Sequence, residues 1–331
     1  MNAVPELDLL RLEGLVSSYG VGELIRYWPA SAGIENSNYF LSTVRGGMEQ
    51  HYVLTLLEQP PNAGGGFVPL LDTCVAAGLP VPAVIRDLRG LPFGELDGKP
   101  ALLCPRLPGR HVFNPTLRQV EALGRFLARF HRATGGGAEE PGRKLPDYPR
   151  DLRWLERRAA ECAGYVGFDS ASLMTDARTE IADALSRRDV AGLPRGPIHG
   201  DLFRDNVLFN EWGLTGVLDF HHASHGFLVY DLAVAANDWC TEADGVLDPE
   251  RTLALLRAYH RLRPLTRAEL WFFPVFALYG ALAFWTSRLV VALEKRRGKP
   301  VRANNPEEFE RIVRHHRAHF FYLDERLLEV G

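Results

Sequence analysis

Apolar residues recur at helical spacing near the start of the chain. Leu7, Leu10, Leu15 and Tyr19 share one side of residues 6–19, which predicts an amphipathic helix. The period then shortens. Segments 24–28, 37–43 and 50–57 have strand character, and Arg45-Gly46-Gly47 between the last two is a hairpin signal. Residues 67–77 predict a helix stopped by Gly78, with Pro80 and Pro82 beyond it. Segments 84–86 and 101–104 read as two more strands around a Gly- and Pro-rich turn. The first hundred or so residues therefore predict a small antiparallel sheet with one packed helix.

Beyond this the pattern turns helical. Val120, Leu123, Leu127 and Phe130 line one face of a helix over 117–131, and 135–149 reads as a loop. Helices follow at 152–162 and 171–188. Strands at 207–209 and 216–220 are joined by residues 210–213, and helices at 230–241, 250–261, 267–293 and 306–328 complete the chain. The expected class is α+β: a small antiparallel-sheet N-lobe, 1–106, followed by a large, mainly helical C-lobe, 107–331. Residues 271–287 are uncharged and largely apolar, close to the length of a short membrane span. Pro274 in the first turn, Arg288 directly after and the lack of a second span favour a helix buried in a large lobe.

The bulk numbers fit this picture. At 331 residues the chain exceeds what one compact core usually holds, so two lobes are expected. Hydrophobic residues make up 46% and charged residues 24%, which are ordinary globular values. The 38 basic and 41 acidic residues give a net charge of −3, so neither a nucleic-acid partner nor a polybasic membrane handle is expected. Cys74, Cys104, Cys162 and Cys240 are scattered without a CxxC pair, which predicts free thiols in a reducing compartment. The acidic start MNAVPELDLL has no basic n-region, and a cytoplasmic location is expected.

The strongest chemical signal is Ile-His-Gly-Asp-Leu-Phe-Arg-Asp-Asn-Val-Leu-Phe from 198 to 209, followed by Gly-Val-Leu-Asp-Phe from 216 to 220. Phosphoryl transfer needs a carboxylate to take the proton of the attacking hydroxyl and oxygen ligands to hold magnesium against the phosphates. Asp201, Asn206 and Asp219 supply such oxygens, and magnesium prefers them to thiolates. Asn206 begins one strand and Asp219 ends the next, so a hairpin would bring both to one end. A lone Asp in a loop is most often a turn former; the ordered set His-x-Asp-x-x-x-x-Asn, two apolar strands and Asp-Phe is not. His199 is expected to bond the loop backbone rather than carry protons.

This pattern resembles the aminoglycoside phosphotransferase and choline kinase superfamily, which shares the two-lobed protein-kinase-like fold. The resemblance implies Asp201 as catalytic base, Asn206 and Asp219 as magnesium ligands, and ATP as phosphoryl donor. Tyr230-Asp231-Leu232-Ala233 also fits, and there Asp231 would buttress the catalytic loop; a carboxylate favoured at a helix N-terminus is the alternative. A narrower likeness rests on Ala32-Gly33-Ile34-Glu35-Asn36-Ser37-Asn38-Tyr39-Phe40, Tyr52-Val53-Leu54-Thr55-Leu56-Leu57-Glu58, Leu107-Pro108-Gly109-Arg110-His111-Val112, Phe284-Trp285 with Ser287-Arg288-Leu289, and Asn305-Pro306-Glu307-Glu308-Phe309. These resemble the bacterial homoserine kinases built on this fold and span most of the chain. By resemblance, Gly33, Ile34, Glu35, Asn36, Ser37 and Asn38 would cover the ATP phosphates. Backbone groups of Pro105 and Leu107 would meet adenine, Pro105 through its carbonyl alone.

Two departures stand out. Kinase-like folds carry a phosphate-anchoring lysine on the third strand, whereas Thr55 stands there and Lys99 is the first lysine in the chain. The homoserine-kinase branch also tends to Thr here. Arg26, Arg45, Arg86 and Arg89 are available instead, and Asp72 is the only acid on the 67–77 helix. After Asp219-Phe220 come His221-His222, where aromatic residues are expected; with His225 they lack the spacing of a tetrahedral zinc site. A hydrogen-bonding or substrate-facing role for His221 is the better reading.

The expected reaction is ATP-dependent phosphorylation of a small-molecule hydroxyl, homoserine first among acceptors, as in threonine biosynthesis. Arg204 and Arg288 are candidates for a substrate carboxylate, and Asp238 and Glu242 for its ammonium. Choline, ethanolamine, an aminoglycoside, a sugar or a protein Ser/Thr remain alternative acceptors. A nucleotide-binding regulator without catalysis is the alternative from another class.

Overall fold

The structure is a computed structural model that describes residues 6–30, 36–58, 66–135, 145–298, 304–319, 323 and 326–329. The chain divides into two compact units. One runs to Gly109 and takes in Thr215–His221; the other begins at Arg110 and holds Leu145–Leu214 and the residues from His222 onward. Thr215–His221 thus joins the first unit, although it lies beyond the boundary at 107 read from sequence.

In the first unit, β1 (Glu23–Pro29), β2 (Ser37–Arg45), β3 (Met48–Leu56), β4 (Phe93–Leu96) and β5 (Lys99–Pro105) form an antiparallel sheet in the order β1-β2-β3-β5-β4. Arg45 pairs with Met48 across the Gly46-Gly47 turn. Helix α1 (Leu9–Tyr19) is capped by the Asp8 side chain and buries Leu12, Leu15, Val16 and Tyr19 against Tyr39, Leu41, Leu54 and Leu103. Burying each such Leu contributes about 1.5–3 kcal/mol. Tyr19 also pins the helix: its hydroxyl donates to the Ala101 carbonyl at 3.0 Å and accepts the Gly94 amide at 2.9 Å. Helix α2 (Phe67–Ala76) buries Val68, Leu70, Leu71 and Cys74.

The expected strand at 84–86 is reduced to one bridge, Ile85 to Leu103, and the partner of β5 is β4 instead. The cause is the turn Asp97-Gly98, both residues at positive φ (53° and 76°), which is the preferred chemistry of a two-residue hairpin. The 215–221 segment is fixed to this unit by Val217 N donating to the Pro80 carbonyl at 2.8 Å and Thr215 Oγ1 to the Pro108 carbonyl at 2.5 Å.

The second unit is mainly helical: α3 (Leu117–Thr134), α4 (Leu152–Ala163), α5 (Phe168–Leu185), α6 (Leu228–Trp239), α7 (Pro249–His260), α8 (Arg267–Arg296), α9 (Glu307–Ala318) and α10 (Arg326–Glu329). Reciprocal Thr116–Gln119 and Thr266–Glu269 capping boxes start α3 and α8. Val120, Leu123, Leu127 and Phe130 are all fully buried on α3, which packs on α7. Helix α8 packs against α4, α5, α6 and α9. It is the one described helix long and apolar enough to span a membrane, and 67% of its most apolar window is buried inside the protein. Two short strands, β6 (Arg195–Ile198) and β9 (Ser224–Phe227), pair antiparallel and were not foreseen. Between them run β7 (Val207–Asn210) and β8 (Gly213–Val217), separated by a turn in which Asn210 Oδ1 accepts the amides of Trp212 and Gly213. The single helix expected over 306–328 ends at Ala318, where His319 leaves helical geometry (φ −132°, ψ 79°).

Candidate active site

The strongest sequence signal falls on the loop after β6. Gly200 turns the chain at φ +76°, and an added Cβ would meet nothing nearer than 3.6 Å, so conformation rather than space calls for glycine. His199 is fully buried, and its Nδ1 accepts the Asp201 amide at 3.3 Å. A one-turn 3-10 helix, Arg204–Asn206, follows. Asn206 Nδ2 donates to the Asp201 carbonyl at 2.8 Å and to Asp201 Oδ2 at 3.2 Å. The five-residue step from Asp201 to Asn206 therefore closes on itself. Trp239 holds the same loop by donating from Nε1 to the Leu202 carbonyl at 3.1 Å.

Asp231, in the first turn of α6 and fully buried, supports the loop. Its carboxylate accepts the His199 and Gly200 amides, each at 2.8 Å, and faces His131 Nε2 at 3.2 Å. With the proton on Nε2, His131 Nδ1 accepts the Tyr259 hydroxyl at 2.7 Å. Burial alone would raise the Asp231 pKa. The hydrogen bond from His131, the electrostatic influence of the His131 and His199 rings and the Gly200 amide outweigh it and hold the carboxyl below its ordinary value.

In the first unit, Asp219 lies between β8 and the 3-10 turn Phe220–His222, at φ +69°. A non-glycine residue there costs roughly 1 kcal/mol or more, and such strain gathers at functional sites. The expected placement at the end of a strand is thus corrected: β8 stops at Val217, and the left-handed turn aims Asp219. His221 places Nδ1 against Asp219 Oδ1, while its Nε2 meets Asn36 Nδ2 at 3.5 Å. Asn36 Oδ1 accepts the Glu58 amide at 3.2 Å. Ser37 Oγ donates to Glu58 Oε1 at 3.0 Å, and Lys99 Nζ bonds both Glu58 oxygens at 2.8 and 2.7 Å. Lys99 is the main cause of a lowered Glu58 pKa. Thr55 donates its hydroxyl to Asn38 Oδ1 at 2.6 Å. Pro105 ends β5 opposite Tyr52, and Leu107 follows it, half-buried. Asp72 on α2 accepts from both terminal guanidinium nitrogens of Arg86. Gly33, Ile34 and Glu35 lie outside the described residues.

The family described as "Phosphotransferase enzyme family" matches residues 27–265 of this chain. The chain belongs to this family. Among its relatives, a homoserine kinase of Pseudomonas aeruginosa is 39% identical over 313 residues, covering 94% of this chain and 95% of the relative. A homoserine kinase of Methylobacillus flagellatus is 37% identical over 322 residues, covering 95% of each. The solved structure of amicoumacin kinase hAmiN in complex with AMP-PNP, Ca2+ and Ami superposes with a TM-score of 0.69 at 17% identity, covering 94% of this chain and 92% of that one. The two-lobed α+β kinase fold expected from sequence is therefore the fold of this phosphotransferase.

The substrate-side candidates are already engaged with neighbours. Arg204 forks onto Asp238, with Nε to Oδ2 at 3.1 Å and Nη2 to Oδ1 at 3.2 Å, and Nη1 donates to the Phe113 carbonyl at 2.6 Å. The Arg204 amide adds a bond to Asp238 Oδ2 at 2.7 Å. Arg288 pairs with Glu308 at 2.6 Å, donates to the Asn305 carbonyl and lies over the Phe309 ring at 4.4 Å. Glu242 pairs with Arg251 at 3.0 Å. Sequence reasoning missed His131, which is 100 residues from Asp231, and Arg150, whose guanidinium lies over Phe284 at 4.7 Å. No local pattern marks either.

Asn206 and Asp219 each offer an oxygen of the kind a hard divalent cation takes. Asn206 commits its NH2 to Asp201, which leaves its amide oxygen outside those bonds, and Asp219 is a carboxylate in a strained turn.

Proposed function

We propose that this phosphotransferase moves the γ-phosphoryl group of ATP to the hydroxyl of homoserine, giving O-phosphohomoserine and ADP. The observation that carries this reading is the Asp201–Asn206 loop, held by Asp231, in a chain that resembles homoserine kinases over almost its whole length. Asp201 orients the acceptor hydroxyl and takes its proton as the new O–P bond forms and the bond to the ADP oxygen breaks. Asn206 and Asp219 would each offer an oxygen ligand to Mg2+. The ion, when bound, neutralises charge on the phosphates.

The first lobe is the nucleotide-binding one: Asn36, Ser37 and Asn38 cover the phosphates, and the Pro105 and Leu107 backbone meets adenine. Lys99, first in the chain and paired with Glu58, is the nearest counterpart to the missing third-strand lysine. The second lobe supplies the catalytic loop and the acceptor end. There the Arg204–Asp238 pair and Arg288 shape the acceptor end for a small amino acid in the cytoplasm, and His221 of the first lobe has a hydrogen-bonding role beside Asp219.

The test is ADP release by purified protein with MgATP and a panel of homoserine, serine, threonine, choline, ethanolamine and an aminoglycoside. Selective turnover of homoserine is expected. ATP binding without turnover of any of these would place the chain among nucleotide-binding regulators instead.

A further inference from the structure

An amino-acid acceptor brings a carboxylate close to the catalytic Asp201, and two anions within one small molecule's length repel unless a cation meets one of them. Three arginines of the second unit stand near the catalytic loop. Arg204 has its amide and three guanidinium nitrogens engaged by Asp238 and the Phe113 carbonyl. Arg288 is ion-paired to Glu308 at 2.6 Å. Arg150 differs: its guanidinium bonds the Tyr148 side chain, a neutral hydroxyl, and lies over an aromatic ring.

Its surroundings fix it in place. The guanidinium lies over Phe284, 4.7 Å from the ring centre, and Phe284 packs at 4.5 Å on Phe203, two residues after Asp201. The Arg150 carbonyl is held by the Tyr279 hydroxyl at 2.8 Å. Stacking uses the guanidinium face; Tyr148 takes part of the N–H edge, and the rest of the five-donor fork has the geometry that suits a planar carboxylate. Burial works against the charge on Arg150. Tyr148, Asp201 and Tyr230 outweigh it, and Asp201 is the one carboxylate among these leading groups.

We propose that Arg150 receives the α-carboxylate of the acceptor and so selects an amino acid over a plain amino alcohol. This rests on the homoserine reading above and names the residue that reads the substrate's carboxylate.

The experiment compares kcat/KM for L-homoserine and for 3-aminopropan-1-ol, which is homoserine without its carboxylate, in wild type and Arg150→Gln, with ATP varied independently. Wild type is expected to favour homoserine on the order of 10²-fold or more. Arg150→Gln is expected to shrink that ratio at least about tenfold, through the KM for homoserine, with the KM for ATP little changed. Arg150→Lys keeps the charge without the fork, should give an intermediate ratio, and serves if the Gln variant does not fold. An unchanged ratio in the variants overturns the assignment, whatever the absolute rates. So does a KM for ATP that rises as much as that for homoserine, which would mark a phosphate contact. A wild type that phosphorylates another alcohol but not homoserine overturns the function proposed above, and this inference with it.

Discussion

Asp231 accepts the Gly200 amide at 2.8 Å, so the first turn of α6 holds the residue next to Asp201 from a distance of 31 positions in sequence. The same carboxylate takes the His199 amide and faces His131. Asp231→Asn keeps the shape but sets an NH2 against donors that need an acceptor. It is expected to cost about 2–4 kcal/mol in urea unfolding and to lower kcat about tenfold or more. Unfolding within experimental error of wild type would show that the loop is held by other bonds.

Asp201→Asn removes the proton acceptor while leaving a side chain of the same size beside Asn206. Turnover should fall about 10²-fold or more with little change in thermal stability. Activity near wild type would remove Asp201 from the chemistry.

Gly200→Ala meets no steric obstacle, since the nearest atom to its Cβ is 3.6 Å away, but must hold φ +76°. A destabilisation of roughly 1–2 kcal/mol is expected, measured by chemical denaturation. A neutral result would mean that the loop relaxes to another backbone conformation.

Asn206→Ala deletes one proposed cation ligand and the two bonds to Asp201. The divalent-cation concentration for half-maximal activity should rise about tenfold, more than the KM for homoserine does. An unaltered cation titration would exclude Asn206 as a ligand.

His316 is buried, bonds Asn237 Oδ1 through Nε2 at 2.8 Å, and has no partner for Nδ1. Burial, with a smaller effect from His315, lowers its pKa from 6.5 to about 3. Between these values the unfolded chain binds a proton that the folded chain does not, so stability is complete above about pH 6.5 and falls as pH drops towards 3, by up to about 1.4 kcal/mol per pH unit. His316→Gln can still donate to Asn237 and does not titrate. Its unfolding free energy should therefore be flatter than wild type over this range; an identical acid limb would assign the effect to other groups.

Most of the helices, the β1–β3 strands and the chemical vocabulary were legible in the sequence. Helical spacing on α3 marked Val120, Leu123, Leu127 and Phe130, all of which are buried, because a 3.6-residue period states which side must leave water. The Asp201-to-Asn206 step was legible because five residues of one loop can close on themselves. The Asp97-Gly98 hairpin was also readable, yet the Gly- and Pro-rich stretch before it drew the strand assignment to 84–86. Tertiary structure alone decided the partners. His131 meets Asp231 across 100 positions, Arg204 meets Asp238 across 34, and Arg150 meets Phe284 across more than a hundred. Local patterns report which side chains seek burial or charge compensation. Which of them meet is set by how helices far apart in the chain pack, and no spacing rule encodes that.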